Sequence, residues 1–596
     1  MMALLMGYFY YNSPSEAQLQ RQREIADSIT LVNQINEKLP TAKSDTIRQD
    51  TNISIETTAK NMGNFSNNSG TEEITTLSND LFTIDFSSLG GKVASVKLNK
   101  YKRADSTDLI LFDKETHQWD YQFIVDGYPV NTAELNWQLN EKTSNSISYY
   151  LYYDSISYLK QTYTLAKDTY KVAYNLSIIG MNKKILPNNS LLTLNWKMIA
   201  PRQELDAEAE RQKSTVYYKE DGETPDFISE TKYKKEELKG KTEWVSFKQQ
   251  FFNSTLLNES GSFDPQSVVG TIEQKDQDFI KGYEAKLYLT FNQLANEQYN
   301  MAFYFGPNHV PSLKKFGHEL DRVIPLGWVI FRWINEYAII PLFNALRNVS
   351  GNYGLVILLL TLIVKLALLP LTYKSYKSSA KMKVLKPEID AIKEKNKGDM
   401  QKTQVETMAF YKKVGVSPMG GCLPMVLQMP ILMSIFFFFP SSIELRQESF
   451  LWAQDLSRYD SIFQLGFSIP FYGDHVSLFT LLMTISTFLY TYMNNQVSGV
   501  TGQMKYMGYI MPVFFLGFFN NYAAGLTYYY FLSNMITFTQ QWAIRQFFVD
   551  EDKIKAQIAA NRNKKTTAKK PSSFQKRLED MAKKRGIDPK TGKRTK

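Results

Sequence analysis

The chain of 596 residues has few of the side chains that form disulfides or bind metal ions. It has a single cysteine, Cys422, which excludes an intramolecular disulfide framework, so any part outside the cytoplasm must rely on its own apolar core. It has four histidines, and no two of them have metal-ligand spacing. The sequence therefore predicts no metal site.

Catalytic motifs are missing as well. There is no GxSxG nucleophile elbow, no phosphate-binding loop and no dinucleotide-binding fingerprint. The strand-forming region has His117 and many carboxylates, in no arrangement typical of sugar-processing enzymes. We predict that the protein is not an enzyme and uses no cofactor. A membrane-tethered β-sandwich enzyme is an alternative that an activity screen of this region would detect.

The N-terminal 73 residues are poor in core-forming residues. Residues 1–11 form an apolar run, but a bilayer-spanning helix needs about twenty residues. We interpret this run as the end of a transmembrane anchor that begins upstream. Residues 12–73 contain one aromatic residue, Phe65, and are predicted to be a flexible tether.

Residues 74–310 have strand-length segments rich in β-formers, such as "LFTIDF", "SISYYLYYD" and "YKVAYNLSII", separated by turns. This pattern predicts an antiparallel β-sandwich. We also expect a short helix around "EWVSFKQQFFNSTL" (243–256).

The second half of the chain is apolar and helical in pattern. Residues 320–348 mix Trp, Phe and Ile with arginines, which is typical of an amphipathic helix at the membrane interface. Five apolar segments follow within 353–545, and we predict that they form a core of five transmembrane helices. They are 353–372, 423–440, 476–493, 506–519 and 523–545. The fourth, with 14 residues, would span about 21 Å and would imply a thinned bilayer.

The loops between these segments differ in charge. Residues 373–422 carry eleven lysines and five acidic residues, whereas 441–475 carry two arginines and five acidic residues. By the positive-inside rule the first loop is cytoplasmic and the second is outside. The β-sandwich then lies outside, and the tail 546–596 is cytoplasmic. Residues 551–596 alone hold 16 Lys and Arg against 5 Asp and Glu, which suits anionic lipid, RNA or a solvated tail without a partner.

The first loop has a helical pattern of its own. Over 373–416, apolar residues recur every three or four positions on both sides of "KNKGD", which predicts an antiparallel helical hairpin. These residues are Met382, Leu385, Ile389, Ile392, Val405, Met408, Tyr411 and Val414.

One lysine interrupts the first apolar segment. Lys365 costs about 2.5–3.5 kcal/mol to insert, and the thirteen surrounding Leu, Ile and Val residues return about 4–8 kcal/mol, so the segment still inserts. The ammonium either reaches the cytoplasmic headgroups, about 10 Å away, or points into a water-filled cavity. The five segments contain no acidic residue, so we interpret Lys365 as a binding site for a negative group.

Other polar residues lie in the same segments. Thr361 is one turn before Lys365, Gln428 lies in the second segment, and a polar face of the fifth recurs at spacings of three and four. That face comprises Thr527, Tyr530, Asn534, Thr537 and Gln541. The pattern indicates either a polar groove or a hydrogen-bonded seam between helices.

An apolar stripe accompanies them. Met425, Met429 and Met433 repeat every four residues, and Phe514 and Phe518 do so in the fourth segment. Methionine suits surfaces that accept varied apolar partners, although ordinary core packing explains the spacing equally well.

Five stretches of the second half are long and distinctive. They are "LTYKSYKSSAKMKVLKPEI" (371–389), "GVSPMGGCLPMVLQMPILMSIFFFF" (415–439), "SSIELRQESFLWAQDLS" (441–457), "MPVFFLGFF" and "GLTYYYFLSNMITFTQQW". Together they resemble the YidC/Oxa family of membrane protein insertases over 320–545. The large sandwich before them is similar to the Gram-negative form, which implies a bacterial inner membrane with the sandwich in the periplasm. Lys365 stands where the family usually has arginine, which keeps the charge but loses the bidentate fork.

The resemblance implies a function. A hydrophilic groove open to the cytoplasm would be lined by Lys365, Thr361, Gln428, Tyr530, Asn534 and Thr537. An apolar slide of Met425, Met429, Met433, Phe514 and Phe518 would release the substrate into lipid. The expected partners are nascent membrane proteins, membrane lipids, the Sec translocon, and the ribosome and signal-recognition machinery at the hairpin and tail, but not DNA. A secondary transporter or channel is the alternative, and it would call for internal repeats that we do not find.

Overall fold

The computed structural model describes residues 64–65, 68–185, 191–396, 400–416, 423–498, 503–547, 552–556 and 558. The predictions for residues 1–11, for most of the tether and for most of the tail lie outside the described residues.

The first half of the described chain is built from antiparallel strands. In order they are β1 Ile74–Ser78, β2 Phe82–Ser87, β3 Lys92–Lys102, β4 Asp108–Phe112, β5 His117–Val125, β6 Tyr128–Asn131, β7 Gln138–Lys142, β8 Ser146–Tyr152, β9 Tyr158–Leu165, β10 Lys171–Ile179, β11 Leu191–Pro201, β12 Thr215–Glu220, β13 Asp226–Phe227, β14 Lys235–Glu237, β15 Thr242–Lys248, β16 Phe252–Asn258, β17 Val268–Ile272, β18 Phe279–Thr290 and β19 Asn296–Pro307.

These strands form three sheets. The first four strands pair in sequence order. A nine-stranded sheet has the order β13-β12-β15-β16-β19-β10-β9-β8-β7, and a six-stranded sheet has the order β14-β17-β18-β11-β5-β6. The two larger sheets pack face to face. The Trp196 ring of β11 stacks 3.8 Å from that of Phe247 in β15. Trp119 in β5 lies 5.7 Å from Tyr174 in β10. The predicted antiparallel sandwich is confirmed.

One sequence expectation for this domain is wrong. The helix expected over 243–256 is the hairpin of β15 and β16, whose residues are buried on both faces, so the alternation that marks a strand is lost. A residue of the predicted tether also packs on this domain. Phe65 is fully buried, with its ring 5.2 Å from that of Tyr153 and 6.3 Å from that of Phe123.

The helices follow the sandwich, apart from a short one within it. They are α1 Ala207–Gln212, α2 Val310–Phe316, α3 Ile330–Ile334, α4 Ile340–Arg347, α5 Tyr353–Val384, α6 Lys386–Lys395, α7 Met400–Lys413, α8 Leu423–Ser441, α9 Leu478–Ser498, α10 Gln503–Phe519 and α11 Ala524–Phe547. A π-helical turn, Asn335–Ile339, joins α3 to α4, and 3-10 turns occur at Thr132–Glu134, Leu320–Val323 and Ile443–Leu445.

The five apolar segments coincide with α5, α8, α9, α10 and α11. Within the described residues, α5 is long and apolar enough to cross a membrane, and Gln428–Ser441 and Met507–Phe519 are shorter apolar helices. The helices α9 and α11 carry hydroxyl and amide side chains that lower their hydropathy. Helix α10 has 17 residues, about 26 Å, because it begins at Gln503. Its apolar part, Met507–Phe519, covers 13 residues, about 20 Å, so the thinned bilayer stays a prediction.

Helix α5 continues past the predicted end of its span. It has 32 residues, contains Pro370, and leads directly into the α6–α7 hairpin. The hairpin shares a small apolar core, made of Met382, Leu385, Ile389, Tyr411, Val414, Val416, Ile554 and Ile558. Val405 and Met408, predicted for the same core, are instead 48% and 53% exposed. Ile554 and Ile558 of the tail pack there, and local periodicity gave no sign of them.

The loop from α8 to α9 joins the helices to the sandwich. Arg446 forms a buried ion pair with Glu204, with 2.6 Å between Nε and Oε1. Gln447 Nε2 donates to the carbonyl oxygens of Lys102 and Arg103. The same loop contains a two-stranded hairpin that the sequence did not predict, β20 Phe463–Ile469 and β21 Gly473–Val476.

Candidate functional site

Helices α5 and α11 lie side by side and run in the same direction. Near their N-terminal ends, a methyl group added at Gly525 would lie 3.4 Å from Ile357 Cδ1. Further along, Gln540 Nε2 donates to the backbone oxygen of Lys365 at 3.1 Å. The close approach at Gly525 follows from the missing side chain, since small residues let membrane helices pack tightly.

Lys365 is 4% exposed and points into this contact. Its Nζ donates to Thr537 Oγ1 at 2.9 Å. The lysine side chain therefore lies between the two helices, against the face of α11 that carries Thr537. The two alternatives for the ammonium, a headgroup contact or a water-filled cavity, stay predictions.

The charge of Lys365 has no counter-ion among the described residues. The Thr537 hydroxyl donates its proton to Ser533 O at 2.7 Å, so it presents a lone pair to the ammonium. A neutral hydroxyl satisfies one of three ammonium donors and compensates little of the charge. The site is therefore suited to accept an anionic group.

Asn534 belongs to a different contact. Its Nδ2 donates to Ser486 Oγ and to Thr487 Oγ1 of α9, each at 3.0 Å. Both hydroxyls in turn donate to Met483 O. For this residue the alternative of a helix-to-helix seam is the better description. Neither partner was predicted from the sequence, although "TIST" (484–487) places three hydroxyls in an apolar run.

The other predicted groove residues are more dispersed. Thr361 is fully buried and donates to Ile357 O on its own helix at 2.6 Å, so its hydroxyl is not directed at Lys365. Tyr530 is half-buried, with its ring 5.6 Å from that of Phe519. Gln428 is half-buried on α8. Of the predicted set, the structure brings Lys365 and Thr537 into direct contact.

The predicted apolar slide lies on two helices. Met429 and Met433 are half-buried on α8, and the side chain of Met425 lies outside the described part of the structure. On α10, Phe514 is 64% exposed and Phe518 is 42% exposed, and their nearly parallel rings are 6.4 Å apart. The phenylalanines thus present a large apolar surface, whereas the methionines do so in part.

Comparisons with known proteins agree across both halves of the chain. A family model described as the YidC periplasmic domain matches residues 74–340, and one described as a 60Kd inner membrane protein matches 345–556. Two relatives described as membrane protein insertase YidC cover 97% of this chain and 95% of their own length. They are from Parabacteroides distasonis, 38% identical, and Bacteroides fragilis, 37% identical. This chain belongs to the YidC family. The resemblance seen in the sequence is thereby confirmed.

The two family matches also locate the boundary between the periplasmic-domain part and the inner-membrane part of the chain. The periplasmic match ends at residue 340 and the inner-membrane match begins at 345, so the two meet within α4. A YidC insertase crystal structure with the first transmembrane domain resolved is 20% identical, with 81% of this chain and 94% of that chain covered and a TM-score of 0.32. The assignment rests on the sequence relatives and not on this structure.

Proposed function

We propose that this chain inserts nascent membrane proteins into the bacterial inner membrane. Membership of the YidC family supports the activity, and one structural observation supports the mechanism: the ammonium of Lys365 is buried in the helical core with a neutral hydroxyl as its hydrogen-bond partner. An uncompensated cation at this depth attracts negative groups more strongly than it would in water.

In the proposed mechanism, an acidic N-terminal tail of the substrate replaces Thr537 as the partner of Lys365. A carboxylate adds the attraction of opposite charges, which the neutral hydroxyl of Thr537 lacks, so the exchange is favourable. When α5 and α11 separate, the groove would also be lined by Thr361, Gln428, Tyr530 and Asn534.

The apolar segment of the substrate would then move into lipid over the slide of Met425, Met429, Met433, Phe514 and Phe518. The exposed phenylalanine rings of α10 support this role. No nucleotide-binding motif is present in the sequence, so substrate hydrophobicity and the membrane potential supply the driving force.

The proposed topology places the sandwich in the periplasm and the hairpin 373–416 with the tail in the cytoplasm. The lysine-rich first loop supports this orientation. The hairpin and tail would receive the ribosome and the signal-recognition machinery, and the helical core would work alone or beside the Sec translocon.

The decisive test uses purified protein in liposomes with a small substrate bearing an acidic N-tail, scored by protease protection. Liposomes with the wild-type protein should protect more substrate than empty liposomes, and those with Lys365→Glu should protect much less than wild type. The matched control is Lys374→Glu, the same charge change on an exposed residue of the same helix. Insertion no better than in empty liposomes would refute the proposed function. Equal losses in both variants would refute the role of Lys365.

A further inference from the structure

The β20–β21 hairpin carries apolar side chains that no described residue covers. Residues 461–473, "SIFQLGFSIPFYG", contain no charge. Phe471 is 95% exposed and Phe467 is 63% exposed, and Ile462, Phe463 and Ile469 are exposed as well. Soluble surfaces rarely expose so continuous an apolar patch without a partner.

The hairpin packs alongside the last turn of α10. His475 Nε2 donates to Asn520 O at 2.9 Å, just beyond the helix end. Asn520 Nδ2 donates to Tyr472 O at 2.9 Å. A methyl group added at Gly517 would meet Phe471 O at 3.4 Å. His475 thus contacts residue 520 and Phe471 contacts residue 517, which is three residues, or about 4.5 Å, further back along the helix axis. Phe471 lies beside the helix and not beyond its end.

The hairpin continues the exposed apolar surface of α10. On that helix, Ile510, Val513, Phe514 and Phe518 are all exposed. Phe471 has a φ of 66°, a backbone conformation that bulky residues seldom adopt, and its side chain is 95% exposed.

We propose that the β20–β21 hairpin inserts into the outer leaflet of the bilayer beside α10, with lipid acyl chains as its partner. The inference rests on the proposed placement of α10 within the membrane. The open edges of a two-stranded ribbon carry unpaired backbone groups, which the hydrocarbon interior does not tolerate. Insertion therefore stops at the boundary of headgroups and acyl chains, the depth reached by interfacial segments.

The test labels single cysteines with an environment-sensitive fluorophore. Cys422→Ala removes the native cysteine from the full-length protein, and Phe471→Cys, Phe514→Cys and Ile156→Cys are then added one at a time. Ile156 is 77% exposed on the sandwich and serves as the aqueous control. Each protein is reconstituted in vesicles of phosphatidylcholine and phosphatidylglycerol, with lipids carrying nitroxides at a shallow or a deep acyl position.

We expect the label at 471 to emit at shorter wavelength than the label at 156. We also expect the shallow nitroxide to quench it more than the deep one. Quenching at 514 without quenching at 471 would overturn the hairpin proposal and leave α10 in the membrane. Absence of quenching at both would overturn the membrane placement of α10 as well. A blue shift at 471 without lipid quenching, growing with protein density, would identify a second copy as the partner and overturn lipid insertion. Phe467→Cys gives a second reading of the same hairpin if Phe471→Cys does not fold.

Discussion

Thr537 accepts a hydrogen bond from the ammonium of Lys365 while donating one to its own helix, with 2.9 Å between Lys365 Nζ and Thr537 Oγ1. Replacing Thr537 by Val keeps the shape of the side chain but removes the acceptor. We expect a loss of about 1.5–3 kcal/mol, because hydrogen bonds to charged groups are worth that much. Thermal unfolding of the detergent-solubilised protein measures the loss, and Thr537→Ser should restore it.

Thr361→Val is the matched control for this change. Thr361 is fully buried and its hydroxyl bonds within its own helix, so the loss should stay within about 0.5–1.5 kcal/mol. Equal losses at both positions would show that the contact with Lys365 is not what Thr537 contributes.

A second prediction concerns substrate charge. Lys365→Met removes the charge and retains most of the apolar stem. Insertion of a substrate with an acidic N-tail should fall about tenfold, the equivalent of about 1.4 kcal/mol. Insertion of the same substrate with a neutral tail should change much less, and Lys365→Arg should retain the preference. Initial rates of protease protection give the ratio, and a uniform fall for both tails would contradict charge recognition.

The buried pair of Arg446 and Glu204 gives a third prediction. Arg446→Met leaves Glu204 buried without its partner and should cost about 3–5 kcal/mol. The double variant Arg446→Met with Glu204→Leu should recover most of this loss, because no charge is then left unpaired. A double-mutant cycle by chemical unfolding measures the coupling, and additive losses would contradict a direct interaction.

Glu210 predicts a pH dependence. Burial, helped by the nearby charge of Glu204, raises the pKa of Glu210 from 4.5 to about 8. The stability it contributes is therefore full below pH 4.5 and is lost as the pH rises toward 8. Glu210→Gln does not titrate, so its stability relative to wild type should rise between pH 5 and pH 8. Unfolding midpoints at both pH values test this, with the exposed Glu208→Gln on the same helix as control. A difference independent of pH would contradict it.

Gly354 offers a steric prediction. A methyl group there would lie 2.0 Å from Cδ2 of Phe450, whereas one at Gly351 meets nothing within 4 Å. Gly354→Ala should cost about 1–3 kcal/mol through overpacking, although alanine favours helix. Gly351→Ala should be nearly neutral. Equal unfolding midpoints for the two variants would show that the Phe450 ring moves aside freely.

The sequence was informative wherever local patterning decides structure. Apolar segments predicted the positions of five helices, and alternation of β-formers predicted the sandwich. It was misleading where both faces of an element are buried, as in β15 and β16, because alternation then disappears.

Partners distant in sequence could not be predicted. The spacing of Val405 and Met408 suggested a hairpin core, but Ile554 and Ile558 occupy it instead. Similarly, periodicity placed Asn534 and Thr537 on one face of α11. In the structure Asn534 contacts α9 and Thr537 contacts α5, which periodicity alone does not distinguish.

Pro370 makes one point of α5 easier to bend than the rest of the helix. Proline has no N–H to donate to the carbonyl of Leu366, so a helix of about 48 Å bends most easily there. On one side of this point Lys365 is fastened to α11, and on the other side Met382 anchors the hairpin core. We therefore expect a pull on the hairpin to bend α5 at Pro370 rather than slide it along α11. Lys365 would then keep its place against α11 while the α6–α7 hairpin changes its angle to the helical core.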